Sequence, residues 1–248
     1  MTRHPLDPTT TAHAASLEQA LAARDRQLSI ATHELRTPIS SILLNLQVLE
    51  RTASLKGALD APSVTRLLEI PLRQLRRLTH MIDLLLDTAQ VESARLALDL
   101  QPVDLQDVVH DVAIRLAEMA RAASCQIVVE PGPPLVGRWD RLRLEQVLHN
   151  LLTNAIKYGG GGVKVHAWFD GDAQLQVSDH GAGIATEDHA HIFEPFKRLP
   201  AAAGDDGAGL GLYIVREIVH AHGGHIEVQG SPGAGATFLV TLPTDPST

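Results

Sequence analysis

A single cysteine, Cys125, occurs in 248 residues. One thiol cannot close an internal disulfide, and no cysteine pair is spaced to grip a metal ion. Cys125 precedes the strand-like stretch Gln126 to Val129 and reads as a small buried hydrophobe. Aromatic residues are scarce, at 3%, so any core must be assembled from Leu, Val, Ile and Ala. Positive charge is short as well: 21 Lys and Arg against 29 Asp and Glu leave a net charge of -8. That excludes nucleic acid as a main partner, because phosphate backbones are bound by basic surfaces. The cluster Arg73, Arg76 and Arg77 is expected to be a solvated helix face. No apolar run nears the ~18 residues of a membrane span, so none is expected. Met1 to Ala14 is polar and rich in Thr and Pro, unlike a signal peptide. The chain is expected to be cytoplasmic, with a disordered N-terminal tail over residues 1–15.

The first half carries two apolar seams at helical spacing. In one, Leu21, Leu28, Leu35, Ile42 and Leu49 recur every seventh residue, with Thr32, Ile39 and Leu46 at the second seam position. In the other, Val64, Leu68, Leu75, Leu78, Ile82, Leu85 and Ala89 alternate steps of three and four, with Pro71 in the gap. Such seams belong to coiled coils and bundles. Gly57 and Pro62 break the chain between them, so the spacing predicts an antiparallel hairpin over residues 16–97. One hairpin has too little core to stand alone, and two copies are expected to dimerise into a four-helix bundle. Pro71 is expected to kink the second helix.

Residues 98–104, with Pro102, read as a linker. From 105 to 246 the pattern changes. Helices are predicted over about Asp104 to Ala123, Asp140 to Lys157 and from the glycines at Gly207 to Gly211 on to Ala221. Strands are predicted at Ile127 to Val129, Val163 to Phe169, Leu175 to Val177, His225 to Val228 and Thr237 to Leu242. Without regular βαβ alternation this is an α/β sandwich: helices over one face of a mixed sheet.

Candidate chemistry begins at His33-Glu34-Leu35-Arg36-Thr37-Pro38. His33 lies off the heptad seam and is therefore presented rather than packed. A zinc motif H-E-x-x-H is excluded, because Thr37 stands where the second histidine belongs. A neutral imidazole is a nucleophile, and a carboxylate such as Glu34 can fix its tautomer. Thr37 leaves the same helix face one turn on. Pro38 lacks an N–H and disturbs the carbonyl of Glu34, loosening the helix beside a reactive side chain.

Three further clusters follow. Asn150 and Asn154 lie four apart, with Lys157 near the same face; the pattern suits Mg²⁺ and phosphate, and equally a solvated helix face. Asp179-His180-Gly181-Ala182-Gly183 reads as a turn, or as a carboxylate that accepts from an amino group on a base. Gly207-Ala208-Gly209-Leu210-Gly211-Leu212 would place glycine N–H groups at a helix start, an anion site. Its third glycine comes one residue too early for a dinucleotide fingerprint, and no G-x-x-x-x-G-K-[ST] occurs, so a P-loop is excluded.

In this order the segments resemble the transmitter core of histidine protein kinases, from about Leu17 to Pro243. His33 to Pro38 is similar to the family's H box, Asn150 to Tyr158 to its N box and Asp179 to Gly183 to its G1 box. Phe193-Glu194-Pro195-Phe196 is similar to the F box, Gly207 to Gly211 to the G2 box, and Gly233 to Phe238 to the closing motif. The resemblance implies a Bergerat-type ATPase domain, shared with gyrase-type and Hsp90-type ATPases, behind the dimerisation hairpin. It implies that ATP and Mg²⁺ bind, that His33 is the phosphoacceptor with Glu34 as its acid/base, and that Thr37 positions water for dephosphorylation of a response regulator receiver domain. Asn154, assisted by Asn150, would ligate Mg²⁺. Lys157 and Arg198 would touch phosphates. Tyr158, Gly181, Gly183, Phe196, Leu210, Leu212 and Thr237 would line the nucleotide site, and Asp179 would read the adenine amino group. Gly207, Gly209 and Gly211 would wrap the phosphates under a lid over roughly Lys197 to Asp206. With no sensor domain before the hairpin in this sequence, the input is expected from an upstream sensor protein or from a region absent here.

Two other readings carry different predictions. A GHKL-fold ATPase without histidine phosphorylation would leave the His33–Glu34 hairpin unexplained. A dimeric scaffold with a degenerate site would not need Asn154, Asp179 and the glycines of the G2 segment intact.

Overall fold

The computed structural model describes residue 32 and residues 35–55, 60–92, 98–199 and 209–245. His33, Glu34, Gly207, the tail, Leu21 and Leu28 lie outside the described residues. The chain divides into two compact units, 1–85 and 86–248.

Helix α1 covers residues 35–55 of the first unit, and helix α2 covers Ala61–Glu92, beginning in the first unit and ending in the second. Leu35, Ile42 and Leu49 are half-buried along the first seam position, while Ile39 and Leu46 of the second are exposed. The exposed residues Ile70, Leu72, Leu75 and Ile82 do the same on α2. Helix α2 runs on through Pro71, which is buried. Arg73 is exposed, as a solvated face requires. The hydroxyls of Thr52, Thr65 and Thr79 each donate to the carbonyl one turn back, the usual satisfaction of a mid-helix threonine.

The second unit holds a five-stranded mixed sheet and a two-stranded ribbon. Its elements are β1 (Gln101–Asp104), α3 (Leu105–Ala122), β2 (Gln126–Val129), β3 (Val136–Trp139), α4 (Arg141–Tyr158), β4 (Gly162–Asp170), β5 (Asp172–Asp179), α5 (Gly211–Ala221), β6 (His225–Gly230) and β7 (Ala236–Leu242). The sheet order is β2-β4-β5-β7-β6, with β2 parallel to β4 and the other pairs antiparallel. Strand alternation sets its two faces. Val163, Val165 and Ala167 of β4 and Ala173, Leu175 and Val177 of β5 are buried. Between them Lys164, His166, Gln174, Gln176 and Ser178 point the other way and remain partly open. The helices supply the rest of the core through Val108, Val112, Leu148, Leu151, Ile214 and Ile218, all essentially unexposed. Each such side chain contributes about 1.5–3 kcal/mol relative to exposure.

Aspartates start two helices. Asp104 accepts from the Gln106 N–H at 2.9 Å and also from the Leu135 N–H at 2.9 Å, so one carboxylate caps α3 and holds the next loop. Asp140 accepts from the Arg143 N–H at 3.1 Å and caps α4. Cys125 is buried as expected, and burial, then the charge of Asp179, pushes its thiol up.

The linker expected over 98–104 is in part a strand. Gln101–Asp104 pairs antiparallel with Val136–Trp139, a strand the sequence reading missed. Pro102 is tolerated because β1 has a neighbour on one side alone. The ribbon is held from a distance: the Trp139 indole N–H donates to the Pro243 carbonyl at 2.8 Å and the Arg138 N–H to the Thr244 carbonyl at 2.8 Å.

Candidate nucleotide-binding site

Three loop segments of the second unit converge at the C-terminal end of α4, where close backbone contact forces them together, and a further pair meets before α5. Gly181 lies so near Tyr158 that a Cβ there would overlap the Tyr158 carbonyl oxygen. A Cβ on Gly159 would come within 2.7 Å of the Asp179 Cβ. Gly235, at φ +77°, sits against the Asp179 carbonyl oxygen, where any side chain would be both strained and obstructed. Gly209, at φ +70°, approaches Phe196, whose own φ is +62°. Close approach thus joins the N and G1 segments to the closing motif, and separately the F segment to Gly209, with Gly211 meeting α4 at Asn150.

Asp179 is the best-defined group in it. Its Oδ1 accepts from the Gly181 N–H at 2.9 Å and the Ala236 N–H at 3.1 Å. Among the described residues its Oδ2 makes no hydrogen bond, so the carboxylate is oriented by backbone while one oxygen remains for an outside donor. On α4, Asn150 is buried at 6% exposure, and its Nδ2 reaches the Gly211 carbonyl at 3.5 Å, the limit of a hydrogen bond. Asn154 is half-buried, and Lys157 and Tyr158 are exposed. Gly211 opens α5 with no side-chain cap, so the first N–H groups of that helix are donors for an anion.

Some expected residues fall elsewhere. Leu210 is fully buried and its side chain belongs to the core. Thr237 donates to the Ser178 hydroxyl at 3.0 Å on the partly open face of the sheet, the face opposite Asp179. A one-residue step along a strand reverses the side, and the structure does not bring this hydroxyl to the site. Leu212, Phe196 and Arg198 are half-buried around it. Thr37 is exposed on α1. The lid positions 200–206 lie outside the described residues. Sequence reasoning missed the role of Ala236 as a donor to Asp179, since a backbone N–H carries no residue signature. It also missed that Phe193 is a core residue, edge-on to Phe238 at 6.4 Å. Near it the His191 Nδ1 pairs with Glu194 at 2.7 Å, which lowers the Glu194 carboxyl.

Comparison with known proteins places both halves. The His Kinase A phospho-acceptor domain matches residues 23–94, and the histidine kinase-, DNA gyrase B- and HSP90-like ATPase matches residues 139–246. The alginate biosynthesis sensor protein KinB of Pseudomonas aeruginosa is 34% identical over 220 residues, 86% of this chain and 36% of that protein. The Acinetobacter baumannii histidine kinase AdeS has a TM-score of 0.68 at 30% identity, covering 86% of this chain and 98% of that one. Full-length ShkA in complex with AMPPNP has a TM-score of 0.60 at 30% identity, covering 88% and 45%. The chain spans about a third of the length of the curated relatives it matches (36% and 31% of two of them). Among the described residues, no helix is long and apolar enough to cross a membrane. With both signature domains present in order, and a solved histidine kinase covered almost end to end, the chain belongs to the histidine protein kinases as a two-component transmitter core.

Proposed function

We propose that this chain binds Mg-ATP in its second unit, phosphorylates its own His33 and passes the phosphoryl group to an aspartate of a response regulator. The observation that carries the reading is the Asp179 carboxylate. Two backbone N–H groups hold one oxygen and leave the other for a donor such as the adenine amino group. Beside it the uncapped start of α5 offers N–H groups to phosphate. Lys157 and Arg198 add positive charge. Mg²⁺ would be held through the amide oxygen of Asn154, assisted by Asn150; oxygen donors suit a hard cation, and the ion would neutralise charge on the transferred phosphoryl group.

In the transfer a ring nitrogen of His33 attacks the γ-phosphorus, the bond to the β-phosphate oxygen breaks, and ADP leaves. Glu34 orients the ring and takes the proton from its other nitrogen. Little covalent help is needed beyond positioning, which here lies with the movement of one domain toward the other. Thr37, one turn from His33, would aim a water at the regulator's phosphoaspartate in the opposing phosphatase activity, which frees the aspartate and releases inorganic phosphate. The dimer is assigned to the hairpin over 16–97 and the nucleotide to the domain over 105–246, in the cytoplasm, with input from an upstream sensor. Incubation with γ-labelled ATP and Mg²⁺ tests the whole: acid-labile label mapping to His33 is expected. Label on a hydroxyl residue, or ATP turnover without label, refutes it.

A further inference from the structure

Three polar side chains are buried among the described residues, and His222 is the titratable one, at 0% exposure. The phosphoryl chemistry above makes no use of it. It stands just past α5, whose C-terminal cap it forms. Its Nδ1 lies 2.8 Å from the Ile218 carbonyl oxygen, and its Nε2 lies 3.0 Å from the Asp140 backbone nitrogen. A carbonyl oxygen can only accept and a backbone N–H can only donate, so both bonds form in one state alone: the neutral ring with its proton on Nδ1. Asp140 caps α4 through Arg143, and its Oδ2 accepts from the Asp99 N–H at 3.1 Å. One imidazole therefore ties the end of α5 to the start of α4 and, through Asp140, to the segment that precedes β1. Both helices reach the nucleotide site from this junction: α4 with Asn150, Asn154 and Lys157, and α5 with Gly211. Their contact there, Asn150 to Gly211 at 3.5 Å, is at the limit of a hydrogen bond and is lost with a small shift.

We infer that His222 is a positioning residue for the nucleotide site: its neutral ring, bonded between Ile218 and Asp140, fixes α5 against α4 and so sets Gly211 beside Asn150. This rests on the reading of that site as nucleotide-binding. Protonation undoes it, because Nε2 would then present a proton to the Asp140 N–H. Burial pushes the ring below its usual range, while the Ile218 bond and the Asp140 carboxylate push the other way. Asp99, Arg138, Arg141, Arg143 and His220 stand on the elements around it and shift it no further. The folded chain thus favours neutral His222, whereas the unfolded chain takes up a proton near pH ~6.5. The stabilisation is whole above that pH and is lost as pH falls below it toward the folded pKa.

The test uses the full chain, a fluorescent ATP analogue and two variants. His222→Gln places an amide oxygen near the Nε2 position and keeps an acceptor that does not titrate; His222→Asn is too short to reach Asp140. At pH 8, under conditions where circular dichroism finds all three folded, His222→Asn should bind the analogue about tenfold more weakly, and His222→Gln within about twofold of wild type. As pH falls through the ring's own titration, followed by its nitrogen NMR shifts, the wild type should lose affinity more steeply than His222→Gln, a comparison that cancels the titration of the nucleotide and of the other histidines. Equal affinity in wild type and His222→Asn, or equal pH profiles in wild type and His222→Gln through the ring's own titration, overturns the inference. Nitrogen NMR of the wild-type ring should find the Nδ1–H tautomer at neutral pH; an Nε2–H tautomer overturns the inference even if neither variant folds. A wild type that binds no nucleotide at pH 8 defeats the nucleotide reading itself, and this inference with it.

Discussion

The two units put their apolar side chains in opposite places. In the α/β unit, Leu105, Val108, Leu148, Leu151 and Ile214 keep 1% or less of their surface open. In the helical unit, Ile39, Leu43, Leu44, Leu46, Leu72 and Leu75 stay between 42% and 61% exposed. Leucine is denser in the helical unit, with 18 in residues 1–85 against 18 in residues 86–248, so a shortage of apolar side chains is not the cause. A sheet with three helices laid on one face closes a core by itself, whereas two helices offer each other a single stripe. The remaining surface of the hairpin is of the kind that marks an interaction site. One unit closes its own core; the other leaves apolar side chains open among the described residues. The most direct way to break this comparison is to separate acceptor from nucleotide. His33→Gln should abolish incorporation of label from γ-labelled ATP while leaving affinity for an ATP analogue within about twofold, since acceptor and nucleotide are assigned to separate units. A parallel loss of affinity would mean that the units do not divide the work.

The next largest effect belongs to the closed core. Leu148→Ala, at 0% exposure between helix and sheet, should cost about 2–5 kcal/mol in unfolding free energy, read from urea melts of the second unit's transition. A cost under about 1 kcal/mol would show that the core relaxes around the gap. Below it comes the ligand contact. Asp179→Asn keeps the size of the side chain but removes the charge that strengthens a bond to an amino group. Affinity for ATP should fall by about 1.5–3 kcal/mol, roughly tenfold to more than a hundredfold, with little change for a nucleotide whose base lacks the amino group. Equal weakening for both nucleotides would count against the adenine assignment.

How far the sequence spoke depended on the range of the forces involved. Periodicity announced α1 and α2, because each is decided by residues within a turn or two of one another. The candidate nucleotide surface was marked for a different reason: Gly181 and Gly209 stand where close backbone approach leaves no room for a side chain, so the residue type itself carries the message. The ribbon was not legible. Strand β1 contains Pro102 and β3 contains Gly137, both poor strand formers, and the pair is held by Trp139 and Arg138 reaching Pro243 and Thr244 about a hundred residues away. Thr237 misled because a motif places a residue in the chain but not on a face of the sheet. His222 was one of 13 histidines, and nothing around it in the sequence marks the two backbone groups that select it.

The smallest effect is also the one that bears most directly on what covers the hairpin. Leu46 occupies a seam position on α1 and is 42% exposed in the single chain. If the hairpin worked alone, Leu46→Ala would remove a side chain that already meets water, at a cost of about 1 kcal/mol or less. If a second copy packs on the seam, the same change removes two buried side chains per pair, and its cost enters the association constant as well as the fold. The two cases separate on dilution. Thermal melts of the wild type at about 1 and about 100 µM should give a lower midpoint for the dilute sample, because unfolding of a dimer is linked to dissociation. Leu46→Ala should widen that gap and show more monomer by sedimentation at the lower concentration. Leu43→Ala, equally apolar and more exposed but off the seam, supplies the control and should leave the gap unchanged. Midpoints independent of concentration in the wild type would remove the dimer. A concentration dependence that Leu43→Ala perturbs as much as Leu46→Ala would keep the dimer but move its seam to another face of α1.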